Sequence, residues 1–348
     1  MAPRSIATGC VYFAVALLLS SIVLICFSSF SNAINEKGKT AIVVFYNVEN
    51  LFDTLNDPLT NDDAFTPDGK NGWNTNRYKD KINKISSAIR GIDDLYPTMI
   101  GLCEVENKAV LKDLTSSASL KLGNYEIIHF DGPDKRGIDV ALLYAKKKFK
   151  PSYREAIRIN LPDSARSTRD ILYVKGRLRN GPELHIFVNH WPSRHGGAES
   201  SEHKRIAAAN SLRKQIDSLQ TVDPGVHIIC MGDFNDYPEN NSIAETLGKG
   251  KEQTSLPLCN LMKYPSKALR GSYNYRGQWG FLDQIIVSCS LQNSELPNVL
   301  DRATAAHYTP EMIYTNKNGE DYPNRTYGGS NYYGGFSDHL PVYTVLAY

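Results

Sequence analysis

The chain has 348 residues, 41% hydrophobic and 22% charged. That is enough apolar material for a core, it excludes a largely disordered protein, and at this length it favours one large domain over two. The formal charge is only +2, which excludes a global basic field for gripping long polyanions and leaves any such binding to local clusters or to a cation.

In chain order, the first element is an address. An apolar run from Val11 to Phe30 follows Arg4 and precedes Ser31-Asn32-Ala33, whose small residues suit cleavage after Ala33. Residues 1–33 are therefore expected to be a signal peptide, with export to the periplasm or the extracellular space. The run is also about 20 residues long, enough for an uncleaved anchor that would hold the protein at a membrane, facing outward. Both readings stay open. Residues 34–348 are expected to form the single domain.

Short apolar runs of β character recur at residues 41–48, 98–105, 125–130, 138–144, 171–178, 184–189, 226–231, 281–288 and 340–346. Helical spacing appears twice, at Ile82, Ile85, Ile89 and Ile92 and again at Ile206, Ala209, Leu212, Ile216 and Leu219. Strands outnumber helices and do not alternate with them, which points to two mixed sheets packed together with helices outside, an α+β arrangement. Lys146, Lys147, Lys148 and Lys150 read as a solvated strand end. Of the cysteines beyond the leader, Cys103 and Cys230 sit in apolar strands as buried thiols do. No disulfide is assigned, and Cys259 with Cys289 is the pair to test. Twenty tyrosines, many paired near the C-terminus, suit β structure and surfaces that stack on ligands.

Residues of chemical value stand at the ends of these runs: Asn47 and Glu49 after the first, Glu104 after the second, His190 after the sixth, and Asp233 and Asn235 after the seventh. Asp338-His339 comes just before the last. Such placement gathers side chains at one rim of a rigid scaffold. Glu104 with Asn47 offers the hard oxygen donors that Mg²⁺ takes. Glu49 and Asp53 read better as loop caps than as ligands. Asp233 and Asn235, leaving a strand through Gly232, suit orientation of a water and donation to a phosphate oxygen. His190 and His339 supply two imidazoles for charge stabilisation and proton exchange. Asp283 and Asp139 are carboxylates inside apolar strands and need partners, a histidine among the options. Beside His190, Asn189 is a candidate substrate contact, and Arg194 and His195 read equally as phosphate contacts or as solvent-facing residues. The remaining histidines, His129 included, default to structural roles.

Together, Asn47-Val48-Glu49-Asn50, Glu104, Arg136-Gly137-Ile138-Asp139, Asn189-His190-Trp191-Pro192, Gly232-Asp233-Phe234-Asn235, Leu282-Asp283-Gln284-Ile285 and Ser337-Asp338-His339 resemble, in order, the signature of the endonuclease/exonuclease/phosphatase superfamily. The resemblance spans residues 41–348. It implies a four-layer α/β/β/α sandwich with Mg²⁺ or Mn²⁺ at the rim. It makes Asn47 and Glu104 the metal pair, with Asp338 in the metal shell, and gives Asp233 and Asn235 the water and the phosphate. His339 would act with Asp283 as its acidic partner, His190 would be the other histidine, and Asp139 stands near the place of His190's own acidic partner. The implied chemistry is in-line attack of water on phosphorus.

The fold hosts several substrate classes, so the substrate must come from other features. His190, the expected export, and Arg270, Arg276 and Trp279 in a Tyr/Gly-rich loop favour a nuclease that meets backbone and base. A phosphatase or a phospholipase-like phosphodiesterase is the alternative, with phosphoinositide, sphingomyelin or sugar phosphate as substrate. A non-catalytic binding module is the reading from another class. No protein partner is expected.

Overall fold

The computed structural model describes residues 39–162, 167–250, 255–263, 271–292, 296–300 and 305–348. The expected signal or anchor segment and Arg270 lie outside them. Among the described residues no helix is long and apolar enough to cross a membrane. Thr40–Tyr348 forms one compact unit.

Two sheets carry the fold. The first contains β1 (Thr40–Leu51), β2 (Met99–Val105), β3 (Tyr125–His129) and β4 (Asp139–Ala145). Its order runs from the C-terminal strand Val342–Ala347 through β1, β2 and β4 to β3. The second contains β5 (Phe149–Ile157), β6 (Ile171–Leu178), β7 (Glu183–His190), β8 (Ile228–Asp233), β9 (Leu258–Asn260) and β12 (Asp283–Ser288), ordered β5-β6-β7-β8-β12-β9. Between β9 and β12 lies a separate hairpin of β10 (Tyr273–Tyr275) and β11 (Gln278–Gly280). β1 pairs with β2 in parallel, as β7 does with β8, whereas the C-terminal strand and β12 run antiparallel to their neighbours.

Side-chain parity explains both the continuous apolar runs and the layering. In β1, Ala41, Val43 and Phe45 face the layer between the sheets, while Ile42, Val44 and Tyr46 face the opposite way. The outer face of the first sheet is covered by the helix Thr75–Arg90, through Ile82, Ile85 and Ile89, and by the helix Lys108–Ser116. In β8, Ile229 and Met231 face inward and Ile228 and Cys230 outward. The outward pair meets the helix Ala198–Val222 through Ala209, Leu212 and Ile216. Strands buried on both faces lose the polar alternation that a half-exposed sheet would show. The expected α/β/β/α sandwich is therefore present. β5 has no counterpart among the apolar runs, because residues 150–156 along it are mostly exposed or half-exposed.

Cys103 and Cys230 are buried free thiols, and Cys259 and Cys289 form a disulfide. It ties the edge strand β9 to the turn that follows β12 across a sequence separation of 30. A closed loop of that length restricts the unfolded chain by about 3.6 kcal/mol. Cys289→Ser, or reductant on the native chain, is accordingly expected to lower the unfolding free energy by about that amount, seen as a lower urea midpoint. An unchanged midpoint on verified reduction would show the crosslink to be energetically silent.

Candidate active site

The inward parity of the strands ends at one rim. Asn47 continues the inner face set by Phe45, His190 that set by Val188, and Asp233 that set by Met231. Asp283 stands on the inner face shared by Ile285 and Val287. In register, His190 lies opposite Asp233, and Asp233 opposite Asp283. Gly232 permits this pairing, since a Cβ there would stand 2.6 Å from both Cβ and O of Asn189. Glu104 joins through a break in the β2 ladder, with φ +61 between Cys103 and Val105. Glu49, Asn50 and Asn235 also hold positive φ, a concentration of left-handed non-glycine residues that is typical of functional sites.

The contacts are dense. Asn47 Nδ2 donates to Asp233 Oδ2 at 3.0 Å and Glu104 Oε1 at 3.3 Å, and Glu104 Oε2 accepts from Asn50 N–H at 3.0 Å. His190 Nε2 lies 3.8 Å from both Glu104 Oε1 and Asp233 Oδ2. Asp233 Oδ1 accepts from the Asn235 N–H at 2.9 Å. His339 Nδ1 meets Asp283 Oδ2 at 2.6 Å, and its Nε2 points toward Asp233 Oδ2 at 3.9 Å. Ser337 splices this segment to β1, donating to Asn47 O at 2.7 Å while accepting from the His339 N–H.

Burial and charge set the protonation states. Burial pushes the Asp233 carboxyl up to about 7; His339 pulls it down and Asp283 pushes it further up. The two imidazoles part company. Burial holds His190 well below the usual histidine range, and the positive charges of Arg169 and Arg136 add to that. Burial acts on His339 in the same direction but is outweighed by Asp283 and Asp233, so its imidazole sits well above the usual range. One imidazole is thus neutral and the other cationic, the separation expected of groups with distinct acid and base roles.

Glu104 and Asp233 converge as two carboxylates, hard oxygen donors, bridged by Asn47 Nδ2, while Asn47 Oδ1 accepts from the Glu49 N–H at 3.0 Å. The raised Asp233 carboxyl is that of a buried group lacking a full counter-charge. These residues fit a divalent cation such as Mg²⁺ or Mn²⁺. Asp338 also lines the cleft and accepts from Arg325 Nη2 at 3.1 Å. The cleft has a volume of about 670 Å³ and is lined by Glu104, His190, Arg194, Asp233, Asn235 and His339, among others.

Several expectations need correction. Asp139 does not orient His190. It lies 3.2 Å from His129 Nε2 and accepts from Gly132 N–H, which turns it toward β3, and His190 Nδ1 is buried with no partner among the described residues. Asn189 does not face substrate, because strand parity sends it outward with Phe187, where it accepts from the Trp191 indole and donates to Phe187 O and Met231 O. Arg276 sits in the β10–β11 turn over the Tyr275 ring, and Trp279 packs against the outer core of the first sheet, so neither lines the cleft. Arg194 and His195 do line it, Arg194 stacking on Tyr237. Glu49 behaves as the loop cap expected, binding the N–H groups of Thr326 and Tyr327. Asp53 caps Leu55 N–H.

Three contributors carry no sequence signal. Tyr273 packs its ring against His339, with centroids 4.8 Å apart and planes tilted by 35°. Arg169, buried, bonds Asp134 at 2.9 Å and Trp191 O at 2.5 Å, behind His190. Asp236, also buried, holds Arg205 at 2.6 Å and Ser242 at 2.7 Å below the Asp233–Asn235 turn. Arg205→Met is expected to cost up to about 3–5 kcal/mol by leaving that buried carboxylate with Ser242 and the looser Arg194 contact at 3.6 Å. Denaturant unfolding measures this, and a loss below about 1 kcal/mol would mean that the pair is dispensable.

A two-sheet sandwich with carboxylates, amides and two imidazoles at one rim defines the scaffold and site of a hydrolytic phosphoesterase. The chain belongs to the endonuclease/exonuclease/phosphatase family, whose model matches residues 42–348. Among solved structures it is similar to an endonuclease/exonuclease/phosphatase family protein from Bacteroides thetaiotaomicron, with TM-score 0.57 and 18% identity over 90% of this chain and 96% of that one. It is also similar to the human Nocturnin catalytic domain with bound sulfate, with TM-score 0.55 and 18% identity over 88% and 94%. A third likeness is to a Bacteroides thetaiotaomicron mannosyl-6-phosphatase, with TM-score 0.55 and 18% identity over 88% and 100%. No curated protein matches the chain.

Proposed function

We propose that the chain is a Mg²⁺- or Mn²⁺-dependent phosphodiester hydrolase, exported and acting on nucleic acid. The observation that carries the chemistry is the meeting of Asp233 with Asn47, Glu104, His190 and the Asp283–His339 pair at one rim. In this reading Asp233 orients and deprotonates a water for attack on phosphorus. His339, held by Asp283, donates to the phosphoryl oxygens, and Asn235 donates the N–H that Trp191 O leaves over. Neutral His190 accepts or relays a proton on the side of Glu104. Glu104, and Asn47 with its amide turned to present Oδ1, would hold the cation, which neutralises phosphoryl charge when bound. His190, the Arg194 and His195 that line the cleft, and the expected leader support nucleic acid and export.

The charge of +2 favours the second reading, a phosphatase or lipid phosphodiesterase. Purified protein with Mg²⁺ or Mn²⁺ is expected to nick plasmid DNA and to spare phosphoinositide vesicles. Chelation by EDTA should lower the rate at least ~100-fold, and either cation should restore it. Cleavage of the lipid alone would reverse the order of the two readings. Cleavage undiminished by EDTA would refute the metal.

A further inference from the structure

Beside the catalytic cleft lies a second cavity of about 480 Å³ that shares Tyr273 and Asp338 with it. One wall is the β10–β11 hairpin. The other is the hairpin of Ile313–Thr315 with Asp321–Pro323. Asn274 Nδ2 donates to Asp321 O at 2.9 Å and joins the two walls. The lining is dominated by four tyrosines, Tyr273, Tyr314, Tyr322 and Tyr333.

Many of the polar groups of this cavity already have partners. Asn274 Oδ1 accepts from Gly277 N–H, and Asn316 accepts from Asn318 and Glu320 N–H while donating to Glu320 Oε2. Arg325 gives Nη2 to Glu49 and Asp338, and Tyr322 gives its hydroxyl to Glu320. What the walls add is aromatic area. Tyr314 and Tyr333 are 57% and 60% exposed, an arrangement that leaves large apolar area in water unless something stacks on it. Recognition of a hexose asks for several uncommitted donors and acceptors. Recognition of a flat ring asks for π faces, and stacking on them tolerates differences among rings.

We propose that this cavity is a substrate subsite for an aromatic ring, a nucleobase or an aryl group, borne by the phosphoester whose phosphorus lies beside Asp233 and His339. This rests on the phosphoesterase reading of the cleft, and it places the ring on the Tyr273 side of His339.

The test separates binding from turnover. Equilibrium binding to the full chain with Mg²⁺ would be measured by calorimetry for thymidine 5′-monophosphate, phenyl phosphate, deoxyribose 5-phosphate and glucose 6-phosphate. The aromatic pair is expected to bind about tenfold or more tighter than the other two. The Tyr314→Ala/Tyr333→Ala variant should abolish that preference, and Tyr314→Phe/Tyr333→Phe should keep it. A preference for thymidine 5′-monophosphate alone identifies a base, and an equal preference for phenyl phosphate identifies any aryl group. Equal binding of all four, a preference for the hexose, or a preference that survives the alanine pair would overturn the subsite. Hydrolysis of methyl p-nitrophenyl phosphate checks the cleft separately; its own aryl ring can occupy the subsite, so in the alanine pair KM should rise while kcat stays within about twofold. If that ester is not hydrolysed while the ring preference holds, the phosphoesterase reading fails and the ring site stands.

Discussion

Asp233→Asn is expected to lower kcat/KM for a phosphodiester by about 10²- to 10⁴-fold, the usual worth of a positioned general base. The carboxylate is buried, it receives the Asn47 amide at 3.0 Å, and both imidazoles lie within 4 Å of its Oδ2. Burial raises its carboxyl, which makes it a stronger base than an exposed aspartate. The amide keeps the side-chain shape and the bond from Asn235 N–H but accepts no proton. The loss should therefore fall on kcat, with KM nearly unchanged and the denaturant midpoint close to wild type. Turnover within about threefold of wild type would remove Asp233 from the chemistry.

His339→Ala should cost about 10²- to 10³-fold, and Asp283→Asn nearly as much, because the 2.6 Å contact makes them one device. Asp283 fixes the imidazole through Nδ1, leaves Nε2 toward Asp233, and supplies much of the charge that keeps the ring protonated against its burial. Groups that act as a unit are strongly non-additive. The double variant is thus expected to be no slower than His339→Ala alone. A double-mutant cycle measures this, and full additivity would show that Asp283 supports something other than the histidine.

Much of this site is legible in the sequence because it obeys strand arithmetic. A polar residue continuing the inner parity of a run buried on both faces must emerge at the rim, and Asn47, His190, Asp233 and Asp283 all do so. The same arithmetic separates Asn189 from His190: adjacent residues of one strand face opposite layers, so the motif that contains both delivers only one to the cleft. Side-chain pairing across elements is harder to read. Asp139 could have met either of two histidines, and the choice of His129 is made by the loop around Gly132, whose N–H turns the carboxylate. Arg276 and Trp279 belong to a Tyr/Gly-rich stretch whose hairpin turn has no strong period, so their outward placement depends on tertiary packing. Arg325 comes from a segment of short strands and claims Asp338 from 13 residues away. That segment also builds the tyrosine cavity, which composition signals only as an excess of tyrosine.

The central claim is that water attacks phosphorus at the Asp233 rim. Its most direct test is turnover of bis-p-nitrophenyl phosphate in H₂¹⁸O with Mg²⁺ or Mn²⁺, followed by mass spectrometry of both products. The expected result is one ¹⁸O in p-nitrophenyl phosphate, none in p-nitrophenol, and loss of the reaction in Asp233→Asn. Label in the phenol, release without added metal, or equal release by the variant would contradict it.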